Sequence, residues 1–280
     1  MDELIQISKD PEYTRKCLYR ALNLTTGGFI ETDRNKKIID RIVLWLDRDS
    51  RFNGSYDLNG KKFTHHGNKG LLFIGAPGCG KSTLMYSIMA ILRNTALGFS
   101  FYGSISLSEK YSEAKKKDKG SVLLDSVKGN ALFEELGQEK YGSNYGSSFE
   151  PMQEILHHRS ERMNEMTHIC TNLSLDDIDA RYGSIIGSRI SQMCNLFIFK
   201  DSDFRPSARI IERPTLDKYP RLYVSKEELE DYSERQRIKK LYEIEAKKER
   251  SYGYKGAGTR LREHMQEVFD RINEHNKNLL

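Results

Sequence analysis

Short apolar runs and stretches of helical periodicity alternate along the middle of the chain. Between residues 34 and 46 the apolar side chains recur at helical spacing, which predicts an amphipathic helix with Trp45 on its buried side. Residues 48–70 are rich in Gly, Asn and Asp and keep no period, so we expect a loop there. A regular alternation of strands and helices is expected to begin near Lys69.

From this point the apolar runs have the length of buried strands, and helical patterns separate them. Strands are predicted at residues 71–74, 98–101, 131–133, 167–170 and 196–199, and helices at 81–94, 107–114 and 151–162. Parallel strands need crossover connections, which helices normally provide. The pattern therefore predicts an α/β fold, with a three-layer parallel sheet and helices on both faces.

The composition changes after residue 205. Residues 205–224 contain three of the six prolines, which indicates an extended connector. Residues 225–250 are highly charged and predict a long solvated helix. We divide the chain into an N-terminal helical segment (1–27), a core (28–205) and a connector with a charged helical C-terminal region (206–280).

Size, charge and cysteine usage narrow the class of protein. A chain of 280 residues with 38% hydrophobic residues can bury one α/β core and an appendage. The net charge is only +5, so a nucleic-acid partner would have to be recognised by a local basic patch. The chain has neither an apolar run of ~20 residues nor a signal-peptide pattern, so we expect a cytoplasmic protein without a membrane partner. Four widely separated cysteines favour reduced thiols over a zinc site.

The sequence GAPGCGKST at residues 75–83 lies between a predicted strand and a predicted helix. Its spacing, Gly-x-x-x-x-Gly-Lys-Ser, is that of a phosphate-binding loop. The glycines allow backbone N–H groups to surround a phosphate, Lys81 supplies positive charge, and Ser82 is placed to bind Mg²⁺. The predicted nucleotide-binding residues of this loop are Gly75, Ala76, Pro77, Gly78, Cys79, Gly80, Lys81, Ser82 and Thr83.

An acidic pair at the end of a neighbouring strand normally completes such a site. Glu134 and Glu135 follow the apolar residues 131–133. We expect Glu134 to lie next to the metal ion and Glu135 next to the attacking water. Asp125, which follows the apolar run 122–124, is a competing candidate.

The motifs ALFEELG, THICTN, YGSIIGSR and DSDFR occur in this order after the loop. With them, residues 28–205 resemble the bacterial and phage AAA+ helicase loaders of the DnaC type and their close relatives, the IstB-type transposition ATPases. The resemblance implies an AAA+ ATP hydrolase that uses ATP and Mg²⁺. It also places Phe29 and Ile30 on the adenine side of the nucleotide.

Further roles are implied by the same resemblance. Thr171 and Asn172 match a polar sensor position, where an amide positions the attacking water; the alternative is that Asn172 caps the next turn with Ser174. Arg189 matches an arginine finger that acts across a subunit boundary, so self-association is expected; the alternative is an exposed helix residue. Arg205 matches a basic position that contacts the nucleotide.

The acidic pair departs from the family pattern, which has two aspartates or Asp-Glu. Glutamate at position 134 keeps the charge but adds a methylene group, whereas Mg²⁺ demands near-ideal octahedral geometry. We therefore expect weak hydrolysis, or a nucleotide-dependent switch with little turnover.

A lysine-rich stretch at residues 107–120 is the candidate surface for single-stranded DNA. In the family, a helical insertion in this region lines the DNA-contacting surface. Lysines would follow the phosphates and Tyr111 would stack on a base, and a solvated face is the alternative. The candidate lysines are Lys110, Lys115, Lys116, Lys117 and Lys119.

These features predict an ATPase that acts in DNA replication and loads or remodels a helicase on single-stranded DNA. The expected partners are copies of this chain, a replicative helicase or another DNA-processing protein, and single-stranded DNA. Three alternatives remain: a transposition helper that favours duplex DNA, a small-molecule kinase, and a nucleotide-bound adaptor that does not hydrolyse ATP.

Overall fold

The computed structural model describes residues 11–222, except for 59–60, 94, 114–121, 123–125, 127, 140–141, 145–146, 163 and 206–213. The described residues belong to a compact unit, Lys9–Leu222. The predicted charged helix at 225–250 lies outside the described residues. None of the helices that the structure describes has the length and apolar character needed to span a membrane.

The helices and strands are numbered in chain order. The helices are α1 Pro11–Thr26, α2 Asp33–Leu46, α3 Lys81–Leu92, α4 Ser104–Glu113, α5 Pro151–Ser160, α6 Leu175–Tyr182 and α7 Ser184–Met193. The strands are β1 Gly54–Leu58, β2 Lys61–His65, β3 Gly70–Gly75, β4 Ser100–Gly103, β5 Ala131–Leu136, β6 Gly142–Asn144, β7 Ser147–Phe149, β8 Thr167–Thr171 and β9 Cys194–Phe199. Short 3₁₀ turns cover Ser50–Phe52 and Leu216–Lys218.

The central sheet has five strands in the order β4-β5-β8-β3-β9, and each neighbouring pair is parallel. Strand β8 lies between β3 and β5. The loops that follow these three strands therefore meet at one edge of the sheet, where α/β proteins bind ligands. The fold is the predicted α/β fold, with a parallel sheet and helices on both faces.

Alternate residues of β3 point to the two helical layers. Leu72 and Ile74 belong to an apolar cluster that includes residues of α4, α5, α6 and α7. Leu71 and Phe73 are buried too, and Phe73 packs against Phe197. On that side α3 contacts β3 and β8, and α2 contacts β9.

Helix α2 confirms the amphipathic helix predicted at 34–46. Thr32 caps its N-terminus, and Thr32 and Asn35 form a reciprocal capping box. Trp45 is fully buried, and its indole N–H donates to the carbonyl of Lys69 at 3.0 Å. This bond connects α2 to the residue that precedes β3.

The loop predicted at 48–70 is wrong. This stretch contains the antiparallel hairpin of β1 and β2. The signal that was missed is Asn59-Gly60, a pair that favours two-residue hairpin connections. His65, at the end of β2, is fully buried against the rings of Phe52 and Phe197. The hairpin therefore packs on the domain.

The apolar run 122–124, which precedes the competing candidate Asp125, is described only at Val122. Val122 and Ser126 are helical, and the Ser126 hydroxyl donates to the Val122 carbonyl at 3.2 Å, four residues earlier. Asp125 itself lies outside the described residues. Asp125 as a competing acidic position therefore stays a prediction.

Part of the predicted connector packs against the domain. Tyr219 and Leu222 are buried. Arg93 donates to the Tyr219 carbonyl at 2.6 Å, and the Leu222 amide donates to the Ile91 carbonyl at 2.8 Å. The last described residues of the connector therefore contact the end of α3. The domain boundary at 205 stays a prediction.

Two buried histidines are expected to make the fold sensitive to acid. Burial lowers the pKa of His65 to about 4 and that of His168 to about 3, against ~6.5 in an unfolded chain. The unfolded state therefore binds more protons below pH ~6.5, and stability is lost as the pH falls from there toward 4. We expect urea titrations to show a loss of about 2 kcal/mol per histidine at pH 4.5 relative to pH 7.

Two substitutions separate this effect from general acid denaturation. His168→Phe keeps a ring beside Trp45 and Phe99, and should reduce the difference between the two pH values. His157→Phe changes an exposed histidine and should leave the difference unchanged. An unchanged difference in His168→Phe would show that the buried imidazole is not its source.

Candidate functional site

The loop at residues 75–83 connects β3 to α3, as predicted. Gly78 and Gly80 have φ values of +79° and +95°, a region that side chains rarely adopt. Gly75 is needed for a different reason, because a Cβ there would lie 2.6 Å from the carbonyl oxygen of Phe199. The glycines therefore allow both the turn and the close packing against β9.

Helix α3 begins at Lys81, directly after this loop. Its N-cap residue is Gly80, which provides no side-chain cap. The N–H groups of the first helical turn have no partners within the helix and carry partial positive charge. The loop and the helix end thus form a concave surface suited to phosphate oxygens.

Lys81 lies at the centre of the site and is only 6% exposed. Its ammonium donates to the carbonyls of Gly75 and Ala76 at 2.7 and 2.8 Å, and to Oδ1 of Asn172 at 2.8 Å. The charge is therefore held between the loop and the end of β8.

Asn172 follows β8 and lines the same cavity as the loop. The alternative role, capping the next turn, is not what the structure shows. Ser174 itself caps α6, and its hydroxyl accepts the amide of Asp177 at 3.1 Å. The side-chain oxygen of Asn172 accepts from Lys81 instead, so the amide lies beside the loop.

Glu134 and Ser82, the two predicted metal ligands, are in contact. The Ser82 hydroxyl donates to Oε1 of Glu134. The methylene that distinguishes glutamate from aspartate thus carries the carboxylate as far as the hydroxyl. Carboxylate and hydroxyl oxygens are hard ligands, and this pair fits a Mg²⁺ ion.

A β-bulge orients the acidic pair. The register of β5 against β8 shifts between Phe133 and Leu136, and Glu135 has a left-handed φ of +57°. In a regular strand, neighbouring side chains point to opposite faces. The bulge breaks that alternation, so Glu134 and Glu135 both line the cavity. The sequence gives no signal for a left-handed glutamate, and the bulge was not predicted.

The loop, the acidic pair and Asn172 line a cavity of about 700 Å³, a size typical of small-ligand sites. Phe29, Ile30 and Arg205 line it too, as the family resemblance implies. Sequence reasoning missed much of its apolar wall, including one residue from each of three distant parts of the chain. These residues are Leu22 of α1, Ile39 of α2 and Phe204 after β9.

Arg189 is not brought to this cavity. It lies on α7 beside Ile185 and Ser188 at a shallow surface depression, and its guanidinium donates to the Ser160 hydroxyl. Arg189 is partly buried, and the role expected for it acts across a subunit boundary. That role stays a prediction.

The DNA-binding candidates divide into two groups. Lys110 is exposed on α4, whereas the lysines at 115–119 lie outside the described residues. Tyr111 is buried, and its hydroxyl donates to Glu154 at 2.6 Å. The expected stacking of Tyr111 on a base is therefore wrong, because its ring belongs to the core.

The neighbouring glutamates allow a test of the metal site. Glu134→Gln removes the charge in contact with Ser82, so the Mg²⁺ concentration needed for half-maximal binding of a non-hydrolysable ATP analogue should rise at least about tenfold. Glu135→Gln makes the same change one residue away and should leave this concentration nearly unaltered. Calorimetric titrations over a Mg²⁺ series measure both. Equal effects would contradict the assignment of Glu134 as the ligand.

Comparisons with known proteins return structures alone. No protein-family model and no curated protein matches the chain. The crystal structure of the DnaC helicase loader is 20% identical to it, with a TM-score of 0.42, and the match covers 65% of this chain and 99% of that one. The crystal structure of DnaI is 18% identical, with a TM-score of 0.45 and coverages of 66% and 94%. The chain is similar to both structures.

Proposed function

We propose that the chain is an ATP-hydrolysing AAA+ protein of the helicase-loader kind. One observation carries this proposal: a single cavity brings together the phosphate-binding loop, Lys81, an acidic pair and Asn172. These groups come from the ends of three neighbouring strands of the sheet. Their chemistry is that required to hold a nucleoside triphosphate and to direct water at its last phosphate.

Each group has a role that its position supports. The loop N–H groups and Lys81 bind the β- and γ-phosphates. Asn172 orients the attacking water through its amide, and Glu135 accepts a proton from it through its carboxylate. Ser82 and Glu134 would hold a Mg²⁺ ion, which would neutralise charge on the phosphate oxygens.

The apolar part of the cavity is suited to the base of the nucleotide. Phe29, Ile30 and Phe204 add hydrophobic side chains to the cavity that the acidic pair and the loop also line. A purine ring has two apolar faces and would be desolvated there at little cost. We therefore propose that the base lies against these side chains and that Arg205, at the same cavity, contacts the nucleotide.

Self-association follows from the position of Arg189. Transition states of phosphoryl transfer carry charge that an arginine stabilises by a factor of roughly 10³–10⁵. Within one subunit Arg189 lies away from the cavity, at the depression on α7. We propose that it completes the site of an adjacent copy, and that an isolated subunit hydrolyses ATP slowly.

The proposed partners are a replicative helicase and single-stranded DNA. Loaders of the family that the motifs resemble act on a helicase, and Lys110 is exposed on α4 where that family contacts DNA. Phosphate contacts of this kind would make DNA binding weaker as salt increases. Tight nucleotide binding without turnover would favour the adaptor alternative instead.

The test is ATP turnover as a function of protein concentration, with and without single-stranded DNA. The rate per subunit should rise with concentration, and Lys81→Ala and Arg189→Ala should each lower it at least about a hundredfold. A mixture of the two variants should recover activity, because a Lys81→Ala subunit still offers Arg189 to an intact loop. Arg162→Ala, an exposed arginine paired with Glu165, is the matched control.

Two results would contradict the proposal. Absence of turnover under every condition, with nucleotide bound through Lys81, would identify a nucleotide-bound adaptor. Full activity of Arg189→Ala, or a rate per subunit that is independent of concentration, would remove the proposed contact between subunits.

A further inference from the structure

Three hydrogen bonds hold the turn that follows Glu135. The Gln138 amide donates to the Glu135 carbonyl at 3.0 Å, which closes the turn. The Gly137 amide donates to Oε2 of Glu139 at 2.8 Å. The Leu136 carbonyl accepts the Thr171 hydroxyl at 2.6 Å, which joins the turn to the end of β8.

The side chain of Arg181, on α6, donates hydrogen bonds to the backbone of this turn. Its guanidinium donates to the Gly137 carbonyl at 2.8 Å and to the Glu139 carbonyl at 2.5 Å. One side chain thus binds two backbone acceptors on either side of Gln138. The planar, multi-donor guanidinium is suited to such paired contacts.

Two buried carboxylates surround the same guanidinium. Glu139 and Glu150 lie 3.6 and 2.9 Å from Nη2 of Arg181, and their side chains are 0% and 5% exposed. The Tyr182 hydroxyl donates to Glu139. Burial raises the pKa of Glu150, although Arg181 opposes that shift. Arg181 therefore supplies the positive charge that makes this buried acidic cluster tolerable.

Helix α6 connects this contact to Asn172. It begins directly after the N-cap Ser174, two residues beyond Asn172, and carries Arg181 in its last turn. The helix thus has the sensor residue at one end and the bond to the acidic turn at the other. This connection adds to the direct one, in which β5 pairs with β8 and the Thr171 hydroxyl donates to the Leu136 carbonyl.

We propose that Arg181 is a positioning residue for ATP hydrolysis. Through the carbonyls of Gly137 and Glu139, it fixes the turn that holds Glu135 in its left-handed conformation and aims its carboxylate at the water beside Asn172. The inference rests on the proposed function and assigns to that site a residue that does not itself line the cavity. Because the phosphate loop is separate from this turn, nucleotide binding does not depend on Arg181.

The test compares Arg181→Lys with Glu150→Gln. Lysine keeps the charge but cannot reproduce the paired guanidinium bonds, so kcat should fall about 10–100-fold, the usual effect of losing an outer hydrogen-bond partner. The Kd for a non-hydrolysable ATP analogue should stay within about twofold, since the loop contacts persist. Glu150→Gln alters a buried partner of Arg181 that lies outside the turn, at the N-cap of α5, and it should leave kcat nearly unchanged while it shifts the melting temperature.

A third variant distinguishes an effect on catalysis from a loss of folding. Glu139→Gln preserves the shape of the side chain that accepts the Gly137 amide but weakens its pair with Arg181. It should lower kcat without changing the Kd, in the same sense as Arg181→Lys and to a smaller extent. Melting temperatures and circular dichroism of all three variants confirm that the proteins compared are folded.

The outcomes separate this inference from the proposed function. Native protein without turnover would overturn both. Native turnover with an unaltered kcat in Arg181→Lys would overturn the inference alone. Equal losses of kcat in Arg181→Lys and Glu150→Gln, accompanied by weaker nucleotide binding, would also overturn it, because the cluster would then act only on stability.

Discussion

The parallel pairing of β8 with both β3 and β5 is the constraint on which the site depends. Because carboxyl ends of parallel strands lie at one edge, this pairing brings the phosphate loop, Asn172 and the acidic pair to the same place without any direct sequence proximity. The pairing is tight at its start, where a Cβ on Gly70 would lie 1.8 Å from the Thr167 carbonyl oxygen. The hydrogen bond between Lys81 and Asn172 is its result at the other end of the strands.

The parts of the fold that local physics determines could be predicted from the sequence. Apolar periodicity located α2 with its buried Trp45, and loop spacing located the glycines that turn the chain before α3. Both signals are contained in a few neighbouring residues. The β1–β2 hairpin also had a local signal, Asn59-Gly60, but its alternation was obscured by polar residues on both faces.

Other parts depend on residues that are distant in the chain and carry no pattern of their own. The bulge at Glu135 exists because β5 pairs with β8 in a shifted register, and a single strand does not encode its partner's register. The apolar wall joins Leu22, Ile39 and Phe204, each of which has the appearance of ordinary core. Arg181 likewise carries no sequence pattern of its own, because only folding brings its guanidinium to the Gly137 carbonyl.

The left-handed conformation of Glu135 lowers the stability of the fold, although it places a carboxylate at the cavity. A residue other than glycine in this region costs about 1–2 kcal/mol, so glycine or asparagine at position 135 would relieve strain in the backbone. A screen for greater thermal resistance would therefore favour replacements that discard the carboxylate. Glu135 thus places its carboxylate at the cavity in a conformation that its own backbone disfavours, and the packing and hydrogen bonds around it must offset that cost.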